Sequence, residues 1–369
     1  MDNFSDYISN RSAEEEMDFV PYSARLETYL VPILFSTIFI VGIIGNWTVC
    51  IIFIKHPSMR NVPNTYIFSL AFGDLLVILI AVPCAGLIFV YDRWPWDGEI
   101  GEIICRTSEF AKDVSIGVSI FTLVALAFDR YTGIVNPLKK LRARSKMVVV
   151  IIGFIWVLAV IFALPAVIVS KVLTSKNNQN VKYCWPFGDY GKTYIKYITV
   201  IKASIYYFLP LSIIGILYTL MAKQLHTSAR EVQTIAGNQL RNPQAQNRRH
   251  VARMVIVFIL VFIICFLPHW IFQLWFQLSE NAEENYNMTW HIVKIAGFSL
   301  SFINSTVNPL ALYFVSSLFR THFHNYLCCK SYPVEHNVSF CRNFSKYKSH
   351  DVVKNPVTTI IDTTEYTIN

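Results

Sequence analysis

Seven long apolar stretches alternate with shorter polar segments along the chain. An α-helix needs roughly 20 such residues to cross the hydrocarbon core of a membrane, and each stretch reaches that length. The predicted spans cover residues 28–54, 64–91, 105–131, 147–170, 203–222, 254–279 and 295–319. The pattern therefore predicts an all-α fold built as a bundle of seven transmembrane helices.

Composition and segment lengths support a single membrane domain. The chain is 54% hydrophobic and 15% charged, whereas soluble domains average about 45–50% and about 25%. We predict an extracellular N-terminal segment over 1–27, a transmembrane domain over 28–319 and a cytoplasmic tail over 320–369. The start of the tail mixes apolar and basic positions, which is typical of a short amphipathic eighth helix at the membrane surface.

Charge distribution predicts the orientation. The loop after span three carries five basic residues and no acid, and the connection between spans five and six carries six against one. Loops of this kind are cytoplasmic. We expect a multi-pass plasma-membrane protein with its acidic N-terminus outside and glycosylated at the sequons of Asn3 and Asn10. The net charge of +8 reflects this bias and does not indicate a nucleic-acid partner.

Cysteine positions suggest two modifications. Cys105 at the top of span three and Cys184 in the loop before span five lie on the predicted outer side, where disulfides form. A disulfide would hold the loop over the bundle mouth, whereas the alternative is two free outer thiols. Cys328 and Cys329 follow the short eighth helix and are candidates for palmitoylation, which would attach the tail to membrane lipid. Their alternative is a pair of plain buried thiols.

Span three ends in Asp129-Arg130-Tyr131. Arg130 lies 25 residues after Cys105, a distance of about 37 Å at 1.5 Å per residue, so it should emerge at the cytoplasmic face. A buried arginine needs a partner, and the neighbouring Asp129 is the obvious one in a resting state. The alternative is an interfacial pair whose side chains reach into water.

Span two contains an acid at mid-membrane depth, Asp74, and such a residue indicates a functional site. Its predicted partners are Ser119 in span three and Asn304 and Asn308 in span seven. Together these oxygens could hold Na⁺ or a proton, and no other cofactor is expected. The alternative is a purely structural hydrogen-bond cluster.

Charged residues also mark the outer half of the bundle. Residues seven apart share a helix face, so Lys112 points inward like Cys105. Glu109 and Asp113 lie beside it, and Lys202 enters from span five, an arrangement that fits a polar, partly charged peptide. The alternative is that Lys112 pairs only with Glu109. In the same alternative, Lys202 pairs only with Asp113.

The remaining predicted lining comes from spans six and seven. It consists of His269, Trp270, Gln273, Lys294 and Phe298. Either aromatic residue could instead face lipid, so the sequence leaves the inner and outer placements of these two side chains open.

The motifs resemble those of the rhodopsin-like G-protein-coupled receptors along essentially the whole chain. They are Gly45-Asn46, Leu70-Ala71-Phe72-Gly73-Asp74, Cys105, Asp129-Arg130-Tyr131, Trp156, Cys265-Phe266-Leu267-Pro268 and Asn308-Pro309. Two further segments, Ser58-Met59-Arg60-Asn61-Val62-Pro63-Asn64 and Asp92-Arg93-Trp94, resemble the bombesin-like branch, which includes the insect CCHamide receptors.

The resemblance implies a short, often amidated, neuropeptide ligand and a heterotrimeric G protein of the Gq type. It assigns G-protein coupling to Asp129, Arg130, Tyr131 and Tyr218. Phe266 stands where the class usually has tryptophan, so the switch in span six keeps an aromatic ring and loses an N–H donor. Threonines in the tail, once phosphorylated, would offer negative charge to an arrestin.

Other functions fit the sequence less well. A transporter would favour inverted repeats and paired broken helices, which the sequence does not show. A photopigment needs a lysine deep in span seven, where Phe302 stands instead. No nucleophile, metal or phosphate motif indicates an enzyme.

Overall fold

The computed structural model describes residues 27–135, 144–175, 181–235 and 243–327. Within these ranges, seven helices are long and apolar enough to cross a membrane, which confirms the predicted fold. The helices are α1 Glu27–Lys55, α2 Val62–Tyr91, α3 Gly98–Val135, α4 Arg144–Val169, α5 (residues 192–235), α6 Pro243–Leu278, α7 Met288–Val315 and α8 Ser317–Leu327. Helix α5 consists of an α-helix Lys192–Ala203, a π-helical turn Ser204–Phe208 and an α-helix Leu209–Ile235.

Local capping explains several helix ends. The side chain of Asn61 accepts a hydrogen bond from the backbone N–H of Asn64 at 3.0 Å at the start of α2. Asn287 accepts one from the N–H of Trp290 at 3.2 Å at the start of α7. Both bonds satisfy N–H groups that a helix leaves without an internal partner. Helix α2 ends where Asp92 adopts a left-handed conformation, with φ of 52°.

Several predicted span boundaries differ from the helix ends in the structure. Helix α5 begins at Lys192 instead of residue 203, because Lys192, Lys196 and Lys202 interrupt the uncharged run although Ile195 and Thr199 are buried in the same segment. Helix α7 ends at Val315 instead of residue 319 because Ser316 leaves the helical conformation, with φ of −107° and ψ of 112°. The predicted boundary at residue 319 therefore lies within α8.

The bundle exposes apolar side chains and buries polar ones. In the most apolar part of α4, only 22% of the residues are buried. Val150 and Phe154 are 71% and 62% exposed. Asn46, Asp74 and Asn308 are instead buried between helices. This distribution suits a lipid bilayer, because hydrocarbon solvates apolar side chains while polar groups must find partners inside the bundle.

A hairpin covers the end of the bundle where α3 begins. Strands β1 Lys171–Thr174 and β2 Lys182–Trp185 pair antiparallel, with Val172 opposite Cys184. Cys184 forms a disulfide with Cys105, and their Cα atoms lie 5.5 Å apart. The predicted disulfide is confirmed, and it attaches the hairpin to α3.

The loop between α2 and α3 holds the same hairpin from a second side. The backbone N–H of Trp94 donates to the carbonyl oxygen of Lys182 at 2.7 Å, and the buried Trp94 indole donates to Gly101 at 3.1 Å. Asp97 forms an ion pair with Lys182 at 2.5 Å. The hydrogen bond and the positive charge of Lys182 lower the pKa of Asp97.

Candidate functional site

Two ion pairs lie inside the bundle below the hairpin. The amine of Lys112 lies 2.5 Å from a carboxylate oxygen of Glu109, one turn earlier on α3. The amine of Lys202 on α5 lies 2.6 Å from a carboxylate oxygen of Asp113. The side chains in the second pair are only 19% and 13% exposed. The internal pairing considered as an alternative is therefore present, and it brings two cations and two anions together in the half of the bundle beneath the hairpin, a region called the vestibule.

Uncharged polar side chains surround these pairs. His269 on α6, one of the predicted lining residues, lies close enough to Lys112 and Lys202 for their charges to act on it. The phenol of Tyr206 lies close to Asp113, a neighbour that the sequence analysis missed. Tyr206 belongs to the π-helical turn of α5, and such a turn shifts the helical phase of the residues around it. A pattern based on 3.6 residues per turn could not have placed it.

The other predicted lining residues occupy different depths. Trp270 is buried in the core, with 5% exposed, and its indole N–H has no hydrogen-bond partner among the described residues. Phe298 is half-buried and packs on Phe302, with ring centroids 5.2 Å apart. Gln273 is also half-buried. Lys294 is exposed, and its amine lies 6.0 Å from the ring centre of Tyr286.

At the hairpin end of the bundle, a polar contact joins the first and seventh helices, α1 and α7. Nε2 of His291 lies 2.9 Å from a carboxylate oxygen of Glu27 at the start of α1. Nδ1 of the same ring lies 3.0 Å from the hydroxyl of Tyr286. Sequence analysis did not single out this contact because Glu27 and His291 lie 264 positions apart along the chain.

Asp74 occupies the middle of the bundle. One carboxylate oxygen accepts a hydrogen bond from the side-chain amide of Asn308 at 2.8 Å, and Ser305 lies beside the carboxylate. The other oxygen has no hydrogen-bond partner in the described part of the chain. Ser119 and Asn304 are buried, but the structure gives neither a hydrogen bond to Asp74. The predicted partner Asn308 is thus in place, and Ser305 was missed.

Arg130 lies buried near the opposite end of α3. Its guanidinium contacts the carboxylate of Asp129, the partner expected for a resting state. Only 9% of Arg130 is exposed, which does not fit a side chain extended into water. Tyr218 on α5 lies close enough to interact with Arg130, while Tyr131 is half-buried against the core. Three of the residues assigned to G-protein coupling therefore meet around one cation.

The aromatic switch position lies between these two ends. Phe266 is 1% exposed and packs on Phe262, with ring centroids 4.6 Å apart. Phe262 in turn faces Tyr207 of α5 at 6.3 Å. A column of rings thus links α6 to the π-helical turn of α5, so movement of one helix must repack the other.

Some features lie outside this site. A cavity of about 450 Å³ opens between α2 and α4, away from the ion pairs, and its lining is mostly apolar. The predicted glycosylation sites Asn3 and Asn10 and the predicted palmitoylation sites Cys328 and Cys329 fall outside the described residues.

Sequence comparison identifies the class. The profile of the family described as 7 transmembrane receptor (rhodopsin family) matches residues 45–313. The chain belongs to this family, so it is a receptor and not an enzyme, as predicted.

Within the family, the chain is similar to the neuropeptide CCHamide-1 receptor of Drosophila melanogaster. The two sequences are 43% identical over 337 residues, which cover 89% of this chain and 65% of that relative. The chain thus spans about two thirds of the relative's length, and the matched part includes most of the present sequence.

Proposed function

We propose that this chain is a plasma-membrane receptor for a short neuropeptide, with its N-terminus outside, and that it activates a heterotrimeric G protein of the Gq type. The similarity to a receptor named for CCHamide-1 carries this proposal. The vestibule supports it, because paired charges near polar rings can bind a peptide's amides and charged groups. A rhodopsin-family receptor for an unrelated peptide is the second candidate, since the same vestibule chemistry suits many peptides.

Lys112 is the side chain that tests ligand contact. It is the more exposed of the two vestibule lysines, with 26% of its side chain accessible against 19% for Lys202. A hydrogen bond from its ammonium to the peptide would contribute about 1.5–3 kcal/mol. We therefore expect Lys112→Ala to weaken agonist affinity about ten- to a hundredfold, with near-normal surface expression.

The experiment uses cells that express the chain, a panel of synthetic neuropeptides with amidated and free C-termini, and calcium mobilisation as the first readout. Competition binding with the active peptide then compares Lys112→Ala with Lys112→Ala/Glu109→Ala, each normalised to surface level. Recovery in the double variant would show that Lys112 only neutralises Glu109. Activation by CCHamide-like peptides supports the first candidate function, and activation by a different peptide supports the second.

The same proposal includes a sodium ion at Asp74. The carboxylate oxygen that has no hydrogen-bond partner among the described residues, and the nearby hydroxyl of Ser305, fit a small hard cation, which prefers oxygen ligands. An ion there would favour the resting packing of α2 and α7. Linkage requires that it then oppose agonist binding.

We expect NaCl to weaken agonist binding by about fivefold or more, relative to choline chloride at equal ionic strength. Asp74→Asn should remove the difference while preserving the shape of the side chain. Radioligand competition on membranes measures both. An equal response to the two salts in the parent protein would rule the ion out.

Two further partners complete the proposal. Phosphorylated threonines of the tail would recruit an arrestin, and palmitoyl groups would place the end of α8 in the lipid surface. The tail lies outside the described residues, so these partners rest on its sequence.

A further inference from the structure

A pair of histidines joins α8 to the end of α1. His56 follows the last residue of α1, and its ring centroid lies 4.2 Å from that of His322 on α8. Nε2 of His56 also lies 3.1 Å from the hydroxyl of Tyr326, one turn further along α8. The two rings therefore belong to separate elements and meet only when α8 is docked.

The groups around the pair are mostly cationic. The amine of Lys55 lies 5.8 Å from the ring centre of Tyr326. Arg60, in the same loop as His56, donates hydrogen bonds to backbone carbonyls at the end of α1, the shorter at 2.5 Å. In the described structure, no carboxylate forms a salt bridge with either histidine. A proton added to His322 would thus find no acid beside it among the described residues to balance its charge.

Other contacts hold the first half of α8 independently of these rings. Phe319 and Phe323 are buried in the bundle core, and Phe323 packs on Tyr313 of α7 at 6.2 Å between ring centroids. Of the remaining charged groups on α8, Arg320 and His324 are exposed. The histidine pair and Tyr326 therefore hold mainly the distal half of the helix.

We infer that the contact of His56 with His322 and Tyr326 is a pH-sensitive tether, which is closed while His322 is neutral and releases the distal half of α8 on acidification. Burial and the neighbouring His56 lower the pKa of His322 in the docked state. The undocked helix has the ordinary value of 6.5. The undocked state consequently binds more protons at mildly acidic pH, so docking is strongest above the ordinary pKa and weakens as the pH falls below it.

The expected change in the docking constant of α8 follows from this proton uptake. At pH 5.5, one unit below the ordinary pKa, a docked state that excludes the proton loses up to about tenfold in its docking constant. The distal half of α8 leads directly to Cys328 and Cys329. Release would change how the tail lies on the membrane and, under the proposed function, how the G protein approaches.

The test measures docking without any agonist, so its outcome is independent of the proposed function. Unnatural amino acids with a ketone group replace two exposed residues of the full chain, Ser58 and Leu327. Each ketone is labelled with a nitroxide, and the protein is placed in lipid nanodiscs. Pulsed electron resonance then gives their distance distribution at pH 7.5 and 5.5. We expect a longer-distance population to grow severalfold at the lower pH.

His322→Phe keeps a ring against His56 but cannot bind a proton, so its distances should be the same at both pH values. His324→Gln is the matched control, because it removes an exposed histidine two residues away and should respond like the parent. A pH response that persists in His322→Phe would overturn the inference, as would an unchanged distribution in the parent. His322→Gln removes the titratable group and the ring together: constant distances at both pH values support the tether, and a retained pH response opposes it.

Discussion

Lys202→Ala should strongly destabilise the folded receptor. It leaves the carboxylate of Asp113, 13% exposed, without the ammonium that lies 2.6 Å away. Breaking a buried ion pair by removing one partner destabilises a protein by about 3–5 kcal/mol, because an uncompensated charge remains inside. Thermal denaturation of the purified protein in detergent, followed by intrinsic fluorescence, measures the loss.

The double variant Lys202→Met/Asp113→Leu should regain most of that stability, since it removes both charges and keeps apolar volume. Lys182→Ala is the matched control: it breaks an ion pair of similar length with Asp97, but that pair is exposed to water. Its effect should be much smaller because solvent screens exposed pairs. If Lys202→Ala melted like Lys182→Ala, the ion pair would not stabilise the fold.

Cys105→Ala or Cys184→Ala should also cause a large loss. The disulfide joins residues 79 positions apart, and removing a native disulfide typically lowers stability by about 2–5 kcal/mol. The hairpin would lose its covalent attachment to α3 above the ion pairs. We expect reduced surface expression and weaker agonist binding, measured by flow cytometry and competition binding.

The control for this experiment is Cys84→Ala, which removes a buried free thiol that packs in the same cluster. It should reduce surface expression far less than either disulfide variant. The double variant Cys105→Ala/Cys184→Ala should resemble the single variants, because each already breaks the same bond. Parent-like expression and binding in both single variants would contradict the prediction.

The Asp74 cluster shows where sequence reasoning reached its limit. Depth along a span can be counted in residues, so Asn308 was correctly placed near the acid. Rotation about the helix axis also matters, and it depends on how the helices pack. That rotation brought Ser305 beside Asp74, whereas Ser119 and Asn304 form no hydrogen bond with it in the described structure.

Helix boundaries also show which features the sequence predicts and which depend on the folded structure. The lysines in the first turns of α5 hid its start at Lys192, because they interrupt the uncharged run by which a membrane span is recognised. The apolar run after Val315 continued in sequence, but the turn at Ser316 redirected it into α8. Composition alone does not distinguish a straight continuation from a turn.

The sequence by itself determined the number of spans, the family motifs and the pairing of Cys105 with Cys184. Span number depends on apolar length against a membrane of nearly constant thickness, which is a local property. Only the tertiary structure decided which charges pair, because Lys202 and Asp113 are 89 positions apart. It likewise decided that His56 meets His322. Long-range partners depend on the relative rotation and tilt of packed helices, and side-chain packing over the whole bundle sets both.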